Sequence, residues 1–158
     1  MTQGNPLLAA ALFVALLATG LALGPALAHL FAMPNKMALG PETYLATQQI
    51  YHGWAWLSVV LLVQLIAILT SAVLGRGDGV ILGGTLVALA GLIGAQAVFW
   101  IWTYPANVAT EQWTRMPENL DALRAQWEYS HAAGAILQLV AMAGLSFAAV
   151  STLWRGTP

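Results

Sequence analysis

Residues 53–75, GWAWLSVVLLVQLIAILTSAVLG, contain no Asp, Glu, Lys, Arg or His. Only Arg76-Gly77-Asp78 separate them from a second such stretch, GVILGGTLVALAGLIGAQAVFWIWTYPANVAT, at 79–110. Each holds an apolar run near the roughly 20 residues needed to cross a hydrocarbon core of about 30 Å. A glycine-rich turn of this length between two such runs reads as a tight hairpin of antiparallel spans. Backbone groups in lipid must be satisfied within their own segment, so the spans are expected to be helices.

Outward from this hairpin, residues 1–28 and 132–154 are also free of these five residue types. The whole chain of 158 residues is 59% hydrophobic and 7% charged, with mean hydropathy +0.75. An ordinary soluble domain carries about 25% charged residues, so this chain lacks the charge to cover a water-soluble surface. The expected architecture is all-α: an integral membrane four-helix bundle, up-down-up-down, forming one domain over 1–158. Its spans are expected at about 6–32, 53–74, 80–104 and 130–154. The first span is read as a retained helix, because residues 1–6 lack the Lys or Arg that begins a signal peptide. The chain has no cysteine, which excludes disulfides and thiolate metal sites. Its net charge of −1 and lack of a basic cluster give no sign of a nucleic-acid partner.

This path brings all three histidines, His29, His52 and His131, to one membrane face. Lys36, Glu42, Glu111, Arg115, Glu118, Asp121, Arg124 and Glu128 gather there as well, leaving Arg76, Asp78, Arg155 and the termini on the other. A site is therefore expected at the histidine face. The positive-inside rule acts most directly on short loops such as 75–79. A plain count of Lys36, Arg115 and Arg124 against Arg76 and Arg155 would put the histidines in the cytoplasm, whereas the short 75–79 loop puts the termini there and the histidines outside. The second reading is taken, in a bacterial inner membrane. Pro41-Glu42 and Pro117-Glu118 are helix-start signals, proline at a first helical position followed by an acid. Helices two and four are thus expected to begin near 41 and 117 and to run unbroken into the membrane, extending beyond the bilayer on the histidine face. The intervening segment 104–116 reads as a capping loop.

The last helix carries the densest polar pattern. Arg124, Glu128, His131 and Gln138 share one helical face, and lipid would penalise such a stripe unless it met protein or a cavity. Glu128-x-x-His131 has the spacing that di-iron bundle proteins use on two helices. Here its nearest counterpart is Gln49-x-x-His52, and spans one and three supply no acid, so a complete di-iron site is not expected. A single-metal site of His29, His52, His131 and Glu128 remains open, with iron, copper or zinc suited to those donors. So do a histidine-ligated haem and a site with no cofactor. Histidines bonded to backbone, with Arg124 pairing Glu128, are the structural alternative.

Other helices offer neighbours. Tyr44, Gln48, Tyr51 and Ser58 share a face at helical spacing, as do Gln96, Trp100, Thr103 and Asn107 if that helix continues past Pro105. Trp100, Trp102, Tyr104, Trp113, Trp127 and Tyr129 crowd one level and read either as a headgroup belt or as the lining of a cavity. Gln49, Trp54, Trp100, Asn107, Trp113 and Trp127 are the candidate ligand-binding residues of that second reading. Gln64, deep in the second span, reads as helix–helix glue. Gly83, Gly84, Gly91, Gly94, Gly134, Ala141 and Gly144 suit close helix packing.

Several of these strings resemble the anthrone-oxygenase-like family of small four-span membrane proteins. They are His29-Leu-Phe-Ala-Met-Pro34-Asn35-Lys36, Tyr44-Leu-Ala-Thr-Gln48-Gln49-Ile-Tyr51, Pro105-Ala-Asn107, Trp113, and the run from Pro117 through Arg124-Ala-Gln-Trp127-Glu128-Tyr-Ser-His131. The resemblance covers essentially the whole chain, and Arg-x-x-Trp-Glu-x-x-His is its most specific part. It implies oxidation of a polycyclic anthrone to a quinone, the reaction of those members that have one assigned. It supplies no residue-by-residue catalytic assignment.

The expected function is therefore a membrane oxygenase or oxidoreductase for a lipophilic aromatic, anthrone- or quinone-like compound. His131, oriented by Glu128, would be the general base, and Arg124 or Tyr51 would stabilise the enolate oxygen. The alternative is a non-catalytic binder of metal, haem or quinone, or a subunit of a membrane complex or homo-oligomer. A transporter ranks last, since no polar lane crosses the bundle.

Overall fold

The computed structural model describes residues 5–154, so Arg155 and the chain termini invoked for orientation lie outside the described residues. Four helices are long and apolar enough to cross a membrane: Pro6–Met37, Trp54–Leu74, Gly79–Ala109 and Leu120–Thr152. The protein is an all-helical, integral membrane four-helix bundle, as its charge-free segments predict.

Local chemistry sets the helix ends. Helix α1 (Pro6–Met37) has proline at its first position, and the Asn5 side chain accepts from the backbone N–H groups of Leu7 and Leu8. Helix α2 (Pro41–Gln48) begins at the proline expected to start it. Helix α3 (Leu57–Leu74) ends in the glycine-rich turn, where Gly75 N–H returns to the Ser71 carbonyl. Asp78 then caps helix α4 (Gly79–Val98) by accepting from Val80 and Ile81. After α4 come a wider π turn over Phe99–Thr103 and helix α5 (Tyr104–Ala109), and the chain closes with helix α6 (Leu120–Trp154). In space α1 packs on α3 and α6, and α4 packs on α3 and α6, which closes a four-membered ring of antiparallel neighbours.

Three boundaries correct the sequence reading. The second helix does not run unbroken from Pro41: short 3-10 turns at Gln49–Tyr51 and Trp54–Trp56 flank Gly53, whose φ of +85° is a left-handed conformation that glycine adopts at little cost. The third helix runs past 104 to Ala109, through the π turn. Pro105 supplies no N–H to the carbonyl four residues back, and the wider turn accommodates that loss. The last helix starts at Leu120 and not at 117, with the Asn119 carbonyl accepting from Ala122 and Leu123. Asparagine is a far better residue at a helix N-cap than the Met116 that a start at Pro117 would use.

The membrane core is held in two ways. Gln64 Nε2 donates to Gln138 Oε1 at 2.8 Å and to Thr19 Oγ1 at 3.0 Å, joining α3, α6 and α1 through a buried amide pair. This is the glue role expected of Gln64. On the opposite seam α4 and α6 meet backbone to backbone: a Cβ on Gly84 would stand 2.5 Å from the Gly144 carbonyl oxygen, and one on Gly91 2.6 Å from that of Leu137.

Candidate functional site

The π turn and the Gly53 break together decide which side chains face inward at the histidine end. One extra residue per turn resets the register of the third span. Trp100 consequently leaves the face it was expected to share with Thr103 and Asn107, and stands 59% exposed against Phe99 and Tyr104. Thr103 is buried and bonds Ser130, while Asn107 Oδ1 accepts two indole N–H bonds, from Trp113 and Trp127, each 2.8 Å. The Gly53 break turns Tyr51 and Trp54 toward α1 and leaves His52 exposed. The aromatic residues therefore divide into two groups, one on the outside and one packed ring against ring within. Trp100, Trp102, Tyr104 and Tyr129 are exposed on the outside, and Trp113 and Trp127 are buried within.

What assembles is a packed cluster of rings. His29 contacts Tyr51 (4.4 Å between centroids), Trp54 (5.6 Å), Trp127 (5.0 Å) and His131 (4.3 Å). Trp127 packs on His131 at 3.9 Å with the rings tilted 39° and meets Trp113 at 5.7 Å. His131 Nδ1 lies 3.0 Å from the Trp127 carbonyl oxygen. A carbonyl only accepts, so Nδ1 carries the proton, and in the neutral ring Nε2 keeps its lone pair.

Beneath the rings sits a buried ion pair. Lys36 Nζ is 2.8 Å from Glu128 Oε1, with the two residues 4% and 1% exposed. The ammonium also stands over the Trp127 ring at 4.6 Å and the Tyr51 ring at 5.2 Å, a favourable cation–π position. Tyr44 Oη donates to Glu128 Oε1 at 2.9 Å and accepts from Gln48 Nε2 at 2.6 Å. Burial first, and then the Glu128 charge, push the hydroxyls of Tyr44 and Tyr51 up from the ordinary tyrosine value. Both phenols therefore stay neutral, and that of Tyr44 donates to Glu128.

Two expected roles change. Glu128 does not orient His131, whose partner is the Trp127 carbonyl; it binds Lys36 and Tyr44 instead. Nor does Arg124 pair with Glu128. It donates to the Leu39 carbonyl and to Asp121, and lies across the Tyr44 ring at 5.3 Å, a structural post outside the cluster. Lys36 is the cation of the site, seven residues and therefore about two turns from His29 on α1. That spacing was the signal available in the sequence.

The four-ligand metal set is not assembled. Among the described residues no three His, Asp or Glu side chains come together as a metal-holding group. His52 is exposed and Glu128 is engaged by Lys36. The His29 and His131 rings, 4.3 Å apart, leave no space for a haem between them.

Trp113 is fixed by an unusual turn. Glu111, Gln112 and Trp113 all have positive φ, at 49°, 59° and 65°. Left-handed backbone costs a non-glycine residue about 1–2 kcal/mol. Bonds from Gln112 N–H to the Asn107 carbonyl and from Gln49 Nε2 to the Trp113 carbonyl hold the turn against that strain. Gln112 is exposed, so Gln112→Gly is expected to relieve strain without loss of packing. The gain should be about 0.5–1 kcal/mol once the greater freedom of the unfolded glycine is counted. Thermal unfolding followed by tryptophan fluorescence in detergent should show a higher midpoint, and a lower one would mean the turn is not strained.

Searches against family models, curated proteins and solved structures find no match to this chain.

Proposed function

We propose that the protein is a membrane-embedded oxidoreductase of the oxygenase kind, acting on a lipophilic aromatic compound of the anthrone type at the His29–His131 cluster. The observation that supports this reading is the His131 Nδ1 contact with the Trp127 carbonyl, which leaves Nε2 as a base among closely packed aromatic rings. Nε2 takes a proton from the acidic ring methylene of the substrate. The neutral Tyr51 phenol and the Lys36 ammonium lie beside the same rings, where they can stabilise the resulting enolate oxygen. The carbanion transfers its electrons to dioxygen, the co-substrate, and a carbon–oxygen bond forms. The imidazolium returns its proton to the peroxide. Removal of the second methylene proton then breaks the O–O bond, so that the CH2 group and dioxygen become a ketone and water.

His131→Gln is expected to lower the rate of dioxygen uptake and quinone formation by about 100-fold or more. An unchanged rate would remove His131 from the reaction. A quinone-binding, non-catalytic role is the second reading. The faces of Tyr51, Trp54 and Trp127 around His29 suit a planar ring whether or not it is turned over. Tight quinone binding without turnover would select it. The location is read as a bacterial inner membrane with cytoplasmic termini, on the strength of Arg76 in the short 75–79 turn.

A further inference from the structure

Of the chain's five basic side chains four are arginine, and among the described residues the single lysine is the one that is buried in an ion pair. Arginine is the usual choice for such a pair, because its fork satisfies both carboxylate oxygens at once. Lysine here meets only Oε1 of Glu128. Beyond this contact neither Lys36 Nζ nor Glu128 Oε2 has a hydrogen-bond partner among the described residues, and the nearby His29 Nδ1 has none either. Leaving a buried polar atom unpaired costs about 1–3 kcal/mol, more when it is charged. The two atoms are complementary: an ammonium that must donate and a carboxylate oxygen that must accept. They belong to one ion pair, and the faces of Tyr51 and Trp127 flank its ammonium.

We infer that the Lys36–Glu128 pair is a hydroxyl-recognition site, which takes the O–H of a lipophilic phenol or enol. The hydroxyl donates to Glu128 Oε2 and its oxygen accepts from Lys36 Nζ, so one ligand group satisfies both atoms. The aromatic faces beside the ammonium select a planar ring over an aliphatic alcohol. The inference rests on the proposed reading of this cluster as the substrate site, and narrows the substrate to compounds that carry a ring hydroxyl or enolise to one. Such a site rejects an analogue that lacks the O–H, because the buried partners are then left unpaired.

The test is equilibrium binding of 2-naphthol and its methyl ether to the full chain in lipid nanodiscs, with empty nanodiscs as the partition control. Quenching of tryptophan fluorescence reports binding. The naphthol is expected to bind at least 10-fold more tightly than the ether. That preference should vanish in Lys36→Met/Glu128→Gln, a neutral pair chosen because it leaves no buried charge unpaired. Gly83→Ala, on an open face, should keep it. Equal binding of naphthol and ether by the natural protein would overturn the inference, and so would a preference that survives in the double variant. Neither compound has to be oxidised. A protein that prefers naphthol but consumes no dioxygen with an anthrone keeps the hydroxyl site and loses the oxygenase reading. One that oxidises an anthrone but treats the two ligands alike does the reverse.

Discussion

Gly84→Leu is expected to prevent the bundle from assembling. A Cβ at Gly84 would stand 2.5 Å from the Gly144 carbonyl oxygen and 2.9 Å from the Ala148 Cβ, and a Cβ at Gly144 would stand 2.6 Å from the Gly84 carbonyl oxygen. The obstacle is backbone on both sides, so no side chain can turn aside to make room. Overpacking a core costs about 1–3 kcal/mol where neighbours can shift; here α4 and α6 must separate, and the cost lies at or above the top of that range. Separation also forfeits the close van der Waals contact that holds helices together in lipid, where no hydrophobic effect favours one helix over another. Gly83→Leu is the control, since nothing lies within 4 Å of a Cβ there. Gly84→Leu should yield little monodisperse protein in detergent, and Gly83→Leu a normal amount. Similar yields for the two would show that α4 and α6 do not meet at this seam.

The glycines illustrate how far the sequence can be read. Seven small residues suggested close helix packing, but helical spacing cannot tell which face meets a partner. Gly84, Gly91, Ala141 and Gly144 lie on the α4–α6 seam, whereas Gly83 and Gly134 face open space. The four spans were legible because bilayer thickness and absence of charge are strong, local constraints. The register at the histidine end was not. It depends on the π turn before Pro105 and on the left-handed Gly53, and each changes the phase between the residues on its two sides relative to an ideal helix. That is why Trp100 and His52 fell outside the cluster, although Asn107, Trp113, Trp127, His29 and His131 came together. Pairing was the least legible property. Glu128 and Arg124 are four residues apart on one helix, an arrangement that often pairs. A buried carboxylate is nonetheless held by the cation that is buried with it, and that cation is Lys36 from another helix.

The largest electrostatic effect is expected at this ion pair, and its sign depends on how much of the pair is removed. Glu128→Ala leaves the Lys36 ammonium buried with no counter-charge and deprives Tyr44 Oη of its acceptor. Removing one partner of a buried pair costs about 3–5 kcal/mol. Glu128→Gln should cost less, because an amide oxygen can still accept from Tyr44, though the ammonium remains uncompensated. Lys36→Met/Glu128→Gln removes both charges while keeping side-chain volume and the Tyr44 bond. It should return stability to within about 1–2 kcal/mol of the natural chain, since neutral replacements of whole buried pairs are often tolerated. Thermal midpoints in one detergent should therefore rank Glu128→Ala lowest, then Glu128→Gln, with the double variant near the natural protein. If adding Lys36→Met to Glu128→Gln brings no recovery, the lysine is not buried with its charge in the folded state. The binding site inferred between these two groups would then lack its cationic donor.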